Sequence, residues 1–182
     1  HDEGPMTMPA TTNRPNLIFL NGTMGAGKTA TARALQKLLP ACALLDGDNV
    51  WDFTPFCVNE RTKELAFANI SAVLNNYLAC GLFENIVFCW VMQRREIAEE
   101  LLRRLRGEYA YRPFTLRVSA YELRARLERD IAAGRRDAGV LARALDRLPL
   151  YEHYPAEPVG TDEKTPEEVA AAIARRLYPP LP

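Results

Sequence analysis

Leu17-Ile18-Phe19-Leu20-Asn21-Gly22-Thr23-Met24-Gly25-Ala26-Gly27-Lys28-Thr29-Ala30 reads as a strand, a glycine-rich turn and the start of a helix. Residues 17–20 are uniformly apolar, as in a strand buried on both faces. Ala30, Thr31, Ala32, Arg33, Ala34 and Leu35 continue with residues that on balance favour a helix. Between them Gly22, Gly27, Lys28 and Thr29 stand at the spacing G-x-x-x-x-G-K-[ST]. The chemistry behind that spacing is anion binding. Glycines let the backbone take positive φ and come close to a bulky anion, so that successive N–H groups turn inward as a nest. The positive end of the following helix adds to the same spot. A lysine at 28 can reach the β- and γ-phosphates, and a hydroxyl at 29 can ligate Mg²⁺. A nucleoside triphosphate site is expected here.

The bulk composition narrows the partners. A chain of 182 residues suits one domain that buries about 70% of its unfolded surface. Its 23 basic residues balance 23 acidic ones, which leaves no electrostatic footprint for nucleic acid or an acidic membrane. No apolar stretch approaches the ~20 residues of a membrane span, and a cytoplasmic location is expected. Cys42, Cys57, Cys80 and Cys89 lack C-x-x-C spacing and lie in apolar surroundings, which suits buried free thiols better than disulfides or zinc ligands. Residues 1–15 are proline-punctuated and without periodicity. They read as a disordered start whose first five residues are an expression scar, leaving 16–178 as a single domain.

The rest of the chain alternates strand and helix patterns. A helix over 28–39 stops at Pro40. Ala43-Leu44-Leu45 is a second short strand running into Asp46-Gly47-Asp48-Asn49. Parallel sheets put ligand groups just past the carboxyl ends of their strands, so both aspartates are expected beside the glycine-rich loop, although Asp-Gly-Asp-Asn is also ordinary turn chemistry. Trp51, Phe53, Pro55, Phe56 and Val58 follow as an aromatic loop, either core or the wall of a second pocket. A helix over 60–80 carries Leu65, Phe67, Ile70, Val73, Leu74, Tyr77 and Leu78 on its apolar face and ends at Gly81. Residues 85–91 form a central strand that no acidic residue terminates, so the metal-side carboxylate must come from elsewhere, and Asp46 is nearest.

A helix over 93–106 packs through Ile97, Leu101, Leu102 and Leu105 and turns its arginines to solvent. Residues 114–118 read as a fourth strand. Ser119 and Glu122 make a capping box for a helix that buries Leu123, Leu127 and Ile131, with Arg129 about opposite that stripe and Arg126 to one side. Gly134-Arg135-Arg136 breaks the pattern before a helix over 140–148, so 129–148 reads either as an arginine-bearing lid or as plain surface. His153 reads as a surface residue. Val159 marks a last short strand despite Pro158, and Thr165-Pro166-Glu167-Glu168 caps a final helix packed by Val169, Ile173 and Leu177.

Five strands alternating with helices, with all candidate ligand groups on one edge, predict an α/β fold. It has three layers: a five-stranded parallel sheet with helices on both faces. On the glycine-rich loop, the Leu45-Asp46-Gly47-Asp48 strand end and the arginine-bearing helix over 119–130, the chain resembles the small P-loop kinases. These include shikimate, gluconate and adenylylsulfate kinases, chloramphenicol phosphotransferase and the tunicamycin-resistance proteins. Residues 17–29, 44–51 and 88–92 are also similar to bacterial nucleotide kinase-like ATPases, and the resemblance runs from Asn16 to Leu177.

The resemblance implies ATP and Mg²⁺ as cofactors and transfer of the γ-phosphate to a hydroxyl of a small molecule. By position, Lys28 and the loop from Gly22 through Thr23, Met24, Gly25, Ala26 and Gly27 to Thr29 and Ala30 would hold the phosphates, with Thr29 and Asp46 on the metal. Asp48 would accept or orient the acceptor's hydroxyl proton. Arg129, with Arg135 or Arg136, would close over the nucleotide, Arg126 would join the nucleotide contacts, and adenine would lie against the loop over 160–164. Trp51 stands where adenylylsulfate kinases carry an arginine for their sulfonucleotide, which speaks against that acceptor. Trp51, Phe53, Phe56 and Trp90 near Asp48 suit an acceptor larger and less polar than gluconate. Two rivals fit the same motifs: a nucleoside or nucleoside-monophosphate kinase using Arg61, Arg94 and Arg95, and an ATP-binding regulatory protein or slow ATPase without an acceptor. A monomer or homodimer with no nucleic-acid or membrane partner is expected.

Overall fold

The apolar residues 17–20 lie in β1 (Asn16–Asn21), the middle strand of a five-stranded parallel sheet in a computed structural model that describes residues 14–179. The expectations for residues 1–13 lie outside that range. Pro15, read as part of the disordered start, is instead buried, and its carbonyl accepts from Ala110 N at 2.9 Å. Beside β1 run β3 (Asn85–Cys89) on one side and β4 (Ala110–Arg117) on the other, with β2 (Cys42–Asp46) and β5 (Glu157–Gly160) at the edges. The order β2-β3-β1-β4-β5 makes β1 the place where successive connections leave in opposite directions, and such switch points open a crevice past the strand ends. The register aligns those ends: Cys89 is partnered by Leu20 on one side and Asp46 on the other.

Helices cover both faces. They are α1 (Lys28–Leu38), α2 (Glu60–Ala79), α3 (Arg95–Arg104), α4 (Ala120–Ala132), α5 (Val140–Arg147) and α6 (Pro166–Leu177), with single 3₁₀ turns at Gly47–Trp51 and Leu148–Tyr151. Side chains alternate across a strand, so β1 feeds two cores. Ile18 and Leu20 pack with α1, α4, α5 and α6, whereas Leu17 and Phe19 pack with α2 and α3. Three layers follow directly from one all-apolar strand.

Several details differ from the sequence pattern. The β3 strand ends at Cys89, two residues early, because Trp90 and Val91 turn out toward the crevice. The β4 strand starts at Ala110 and contains Pro113. Pairing with β5 begins only at Phe114, so the missing N–H falls where β4 has no outer neighbour. On α2, Leu65 is 47% exposed while Ser71 is buried. The buried stripe runs through Ala66, Ile70 and Leu74, and Leu65 sits one residue, about 100°, away from it. Gly81 ends that helix with φ +68°, as expected. The thiols were read as uniformly buried, but Cys57 and Cys80 are exposed, since the aromatic loop and the end of α2 lie at the surface. No described helix is long and apolar enough to cross a membrane.

Candidate active site

The loop between β1 and α1 owes its shape to glycine. Gly25 has φ +83°, and a Cβ there would come within 2.8 Å of Leu127 Cδ2 on α4. Gly27, with φ +90°, sits immediately before Lys28 at the start of α1. A side chain at either position would strain the backbone, and at Gly25 it would also push the loop off α4. Lys28 Nζ folds back to donate to Thr23 O at 2.9 Å. Burial pushes the Lys28 pKa down to about 8, while the nearby Asp48 and Asp46 carboxylates partly restore it.

Two carboxylates face this loop from the end of β2. Asp46 is the last strand residue, where its Oδ2 accepts from Thr29 Oγ1 at 2.7 Å and its Oδ1 accepts from Asp48 N at 3.0 Å. Asp46 therefore caps the 3₁₀ turn that carries Asp48. Burial, followed by the Asp46 charge, raises the Asp48 pKa above the usual carboxylate range, with Lys28 and a hydrogen bond from the Trp90 side chain pulling the other way. Cys89, next to Asp46 in the sheet, has its thiol pushed up to about 12 by burial and that same charge, so it stays protonated. Thr29 and Asp46 present hard oxygen donors of the kind Mg²⁺ takes in ones and twos beside phosphate oxygens and water. Among the described residues there is no group of three or more His, Cys, Asp or Glu that could hold a metal.

Three cavities lie end to end along this edge. A cleft of about 610 Å³ runs between α4 and the loop before α6, with Arg126, Arg129, Arg136, Thr161 and Lys164 in its wall. A cavity of about 290 Å³ lies over the loop, lined by Met24, Gly25, Gly27, Lys28, Thr29, Ala30, Asp46, Asp48, Cys89, Val91 and Arg136. A third, of about 920 Å³, is walled by aromatic side chains including Trp51, Phe56, Phe67 and Trp90. Gly25, Gly27 and Arg136 belong to both the first and the second, whereas Asp48 and Val91 belong to both the second and the third.

Not every residue singled out in the sequence faces these spaces. Gly22 and Thr23 do not line the small cavity. Gly22 is packed against Ala26 and Leu116, and the buried Thr23 hydroxyl donates to Ala144 O at 3.2 Å, so Thr23 contributes only its carbonyl, to Lys28. Ala26 lines the 610 Å³ cleft. Arg129 also faces that cleft but not the loop cavity, because its guanidinium folds along its own helix to Ala125 O. Arg136 reaches the cavity, and it and Arg135 both pair with Asp130, at 3.3 and 2.8 Å. Arg126 is bound more tightly: it donates to Glu122 Oε1 at 2.9 Å, Thr161 O at 2.9 Å and, more weakly, Ala26 O at 3.5 Å. Phe53 is not in the aromatic wall but behind it, with ring centroids 6.0 Å from Trp51 and 6.3 Å from Phe56. Of the three arginines weighed for an acceptor phosphate, Arg94 lines the third cavity, while Arg61 and Arg95 do not.

Some residues were missed. Asn21 is buried, donates to Met92 O at 2.9 Å and accepts from Met92 N at 2.8 Å, which pins the loop after β3 to the loop after β1. The signal was a polar residue closing an apolar strand. Gly47 was read only as turn chemistry, yet a Cβ there would stand 2.5 Å from Trp90 Cγ. Nothing local in the sequence announces that approach, nor the place of Phe67 and Arg147 in the wall of the third cavity.

The sequence matches the family described as AAA domain over residues 18–142. No curated protein matches it. Among solved structures, the fold is similar to the tunicamycin resistance protein of Deinococcus radiodurans, at 20% identity and TM-score 0.64, covering 91% of this chain and 96% of that one. It is similar to a gluconokinase from Sinorhizobium meliloti 1021, at 18% identity and TM-score 0.63, covering 91% and 95%. It is also similar to shikimate kinase from Acinetobacter baumannii in complex with shikimate, at 19% identity and TM-score 0.62, covering 91% and 94%. At such identities the likeness is one of fold: the three-layer P-loop architecture expected from the alternation of strand and helix patterns behind the glycine-rich loop.

Proposed function

The chain belongs to the AAA-domain family of P-loop proteins, and on that premise we propose that it transfers the γ-phosphate of ATP to a hydroxyl group of a small molecule. The observation that carries this reading is the position of Asp48, in the wall of the loop cavity and of the large aromatic cavity at once. A group there can touch both a transferred phosphoryl and an incoming alcohol. The base and ribose would occupy the 610 Å³ cleft between α4 and the 160–165 loop, and the triphosphate the cavity beside Lys28.

Phosphoryl transfer asks a protein mainly for alignment and charge neutralisation. Mg²⁺, held by Thr29 and Asp46, would supply charge neutralisation at the β- and γ-phosphate oxygens. Lys28 would exchange its bond to Thr23 O for a phosphate oxygen, the loop amides would hold the β-phosphate, and Arg136 would balance charge from the lid side. The acceptor oxygen forms its bond to the γ-phosphorus as the bond to the β,γ-bridging oxygen breaks. The electron pair leaves with ADP, and the hydroxyl proton passes to Asp48. A carboxylate whose pKa sits above its usual range is suited to receive that proton.

A coupled ADP-release assay over a panel of alcohols, nucleosides and nucleoside monophosphates tests this reading. Acceptor-stimulated release by an alcohol is the expected result. Stimulation by monophosphates alone would favour a nucleotide kinase, and release that no acceptor changes would favour a slow ATPase.

A further inference from the structure

Taking phosphoryl transfer to an alcohol as given, we propose that the alcohol is a flat, ring-bearing molecule with an anionic group, gripped by the aromatic wall and by Arg94 and Arg147. The size and lining of the 920 Å³ cavity speak first, since it exceeds the 610 Å³ cleft available to a nucleotide base and ribose. Its aromatic side chains are braced rather than loose. Trp90 is held edge-on by Phe67, with centroids 6.1 Å apart at 84°, and backed by the bare Cα of Gly47. Phe56 stands 6.3 Å from Trp51, and Phe53 supports both from behind. Phe56 is nevertheless 67% exposed at the cavity, so a ring laid on it would remove apolar surface from water on both partners.

The charged side chains of the wall divide into paired and unpaired ones. Lys63 in the wall is paired with Glu60 at 2.8 Å, Arg103 is paired with Glu100, and the wall's remaining glutamate, Glu96, lies 3.8 Å from Arg95 outside it. Arg94 and Arg147 line the same wall, and among the described residues no carboxylate forms a salt bridge with either. They come from separate elements: Arg94 precedes α3, and Arg147 ends α5. Arg147 is half-buried, so part of its hydration is already lost without a compensating anion. Two guanidinium groups in the wall of one cavity can together meet a carboxylate or phosphate. Asp48 sets the direction of binding. Its negative charge repels the anionic end and accepts from the hydroxyl, so the acceptor lies with its alcohol at Asp48 and its anion toward the arginines.

The chain's two tryptophans, Trp51 and Trp90, both line this cavity, so intrinsic fluorescence reads its occupancy without any turnover. The probes are 4-(hydroxymethyl)benzoate, its neutral amide, the saturated trans-4-(hydroxymethyl)cyclohexanecarboxylate and 4-(hydroxymethyl)phenyl phosphate. The benzoate is expected to bind at least ~10-fold more tightly than the amide and several-fold more tightly than the cyclohexane acid. Arg94→Gln and Arg147→Gln should each shrink the preference over the amide to about threefold or less, with Mg·ATP uptake by calorimetry unchanged. Tighter binding of the phosphate ester than of the benzoate would identify the anion as a phosphate, and the reverse order a carboxylate. Equal binding of benzoate and amide, a preference that survives both substitutions, or no fluorescence change with any aromatic probe would overturn the proposal. The same probes in the ADP-release assay keep the two ideas apart. Neutral alcohols phosphorylated while anionic ones neither bind nor react would sink the anion subsite alone. Tight, arginine-dependent binding with no alcohol ever stimulating ADP release would sink phosphoryl transfer alone.

Discussion

Around the P-loop and the cleft beside it the groups facing the cavities are backbone amides, a helix start and polar side chains already held by short contacts: Lys28 on Thr23 O, Thr29 on Asp46, Arg126 on Glu122 and Thr161. Across Asp48 the groups are ring faces and long charged side chains of both signs, drawn from the 3₁₀ turn and the loop after it, α2, the end of β3, α3 and α5. The first region can meet a triphosphate with the chain's own peptide units, whose placement follows from covalent neighbours. The second must meet its ligand with side chains that only packing brings together. A site of the first kind follows from a short stretch of chain, and a site of the second kind from the packing of distant segments.

That contrast can be broken, most severely at Lys28. Lys28→Ala should abolish calorimetric uptake of Mg·ATP at concentrations that saturate the parent and lower ADP release by about 10²–10³-fold, because a charge-assisted donor at the transferred group acts on both binding and rate. Full uptake by that variant would mean the triphosphate lies elsewhere. At the boundary between the regions, Asp48→Asn should leave Mg·ATP affinity no weaker but reduce kcat at least ~100-fold, the scale of a positioned base. Unimpaired turnover would remove Asp48 from the chemistry.

Gly47→Ala sharpens the comparison from the acceptor side. Its new Cβ would fall 2.5 Å from Trp90 Cγ, so Trp90 must shift, and the acceptor KM should rise about tenfold while the KM for ATP holds. A parallel rise in both constants would show the two regions to be one cooperative unit.

The smallest effect near neutral pH belongs to proton linkage. Lys28 titrates at about 8 in the free protein, below its ordinary value, so between pH 8 and 10.5 the folded chain is neutral there while an unfolded one is charged. Stability gains from this group as pH rises through that window. Nucleotide affinity moves the opposite way: phosphates bind the ammonium, which must be regained above pH 8. Affinity should be flat below about pH 7, fall roughly fourfold by pH 8.5, and be accompanied by proton uptake in calorimetry run in buffers of different ionisation enthalpy. A flat affinity up to pH 9 would show that Lys28 is charged throughout.

Much of the nucleotide region was legible in the chain. The spacing from Gly22 to Thr29 implies a loop with positive φ at glycine, and Gly25 and Gly27 have it. Asp46 and Asp48 lie at the same sheet edge because a short apolar strand ends there. The aromatic region was legible only in composition. Trp51, Phe56 and Trp90 line the wall, Phe53 stands behind it, and Phe67 and Arg147 enter it from helices read as core and lid. Arg129 and Arg136 show the same limit within the lid. A helical wheel places Arg129 away from the buried stripe without saying which cavity it faces, and Arg136 is turned inward by the chain reversal after Gly134 and by Asp130.

By itself, the sequence determined the α/β alternation, the phosphate-cradling loop and the residue types at the strand ends, since each depends on neighbours within a few residues along a chain of fixed geometry. Tertiary structure alone decided the strand order, the shared position of Asp48 between two cavities and the presence of Arg94 and Arg147 in one cavity wall. Those relations link residues tens of positions apart, and they are set by which apolar faces can be buried together on the two sides of β1.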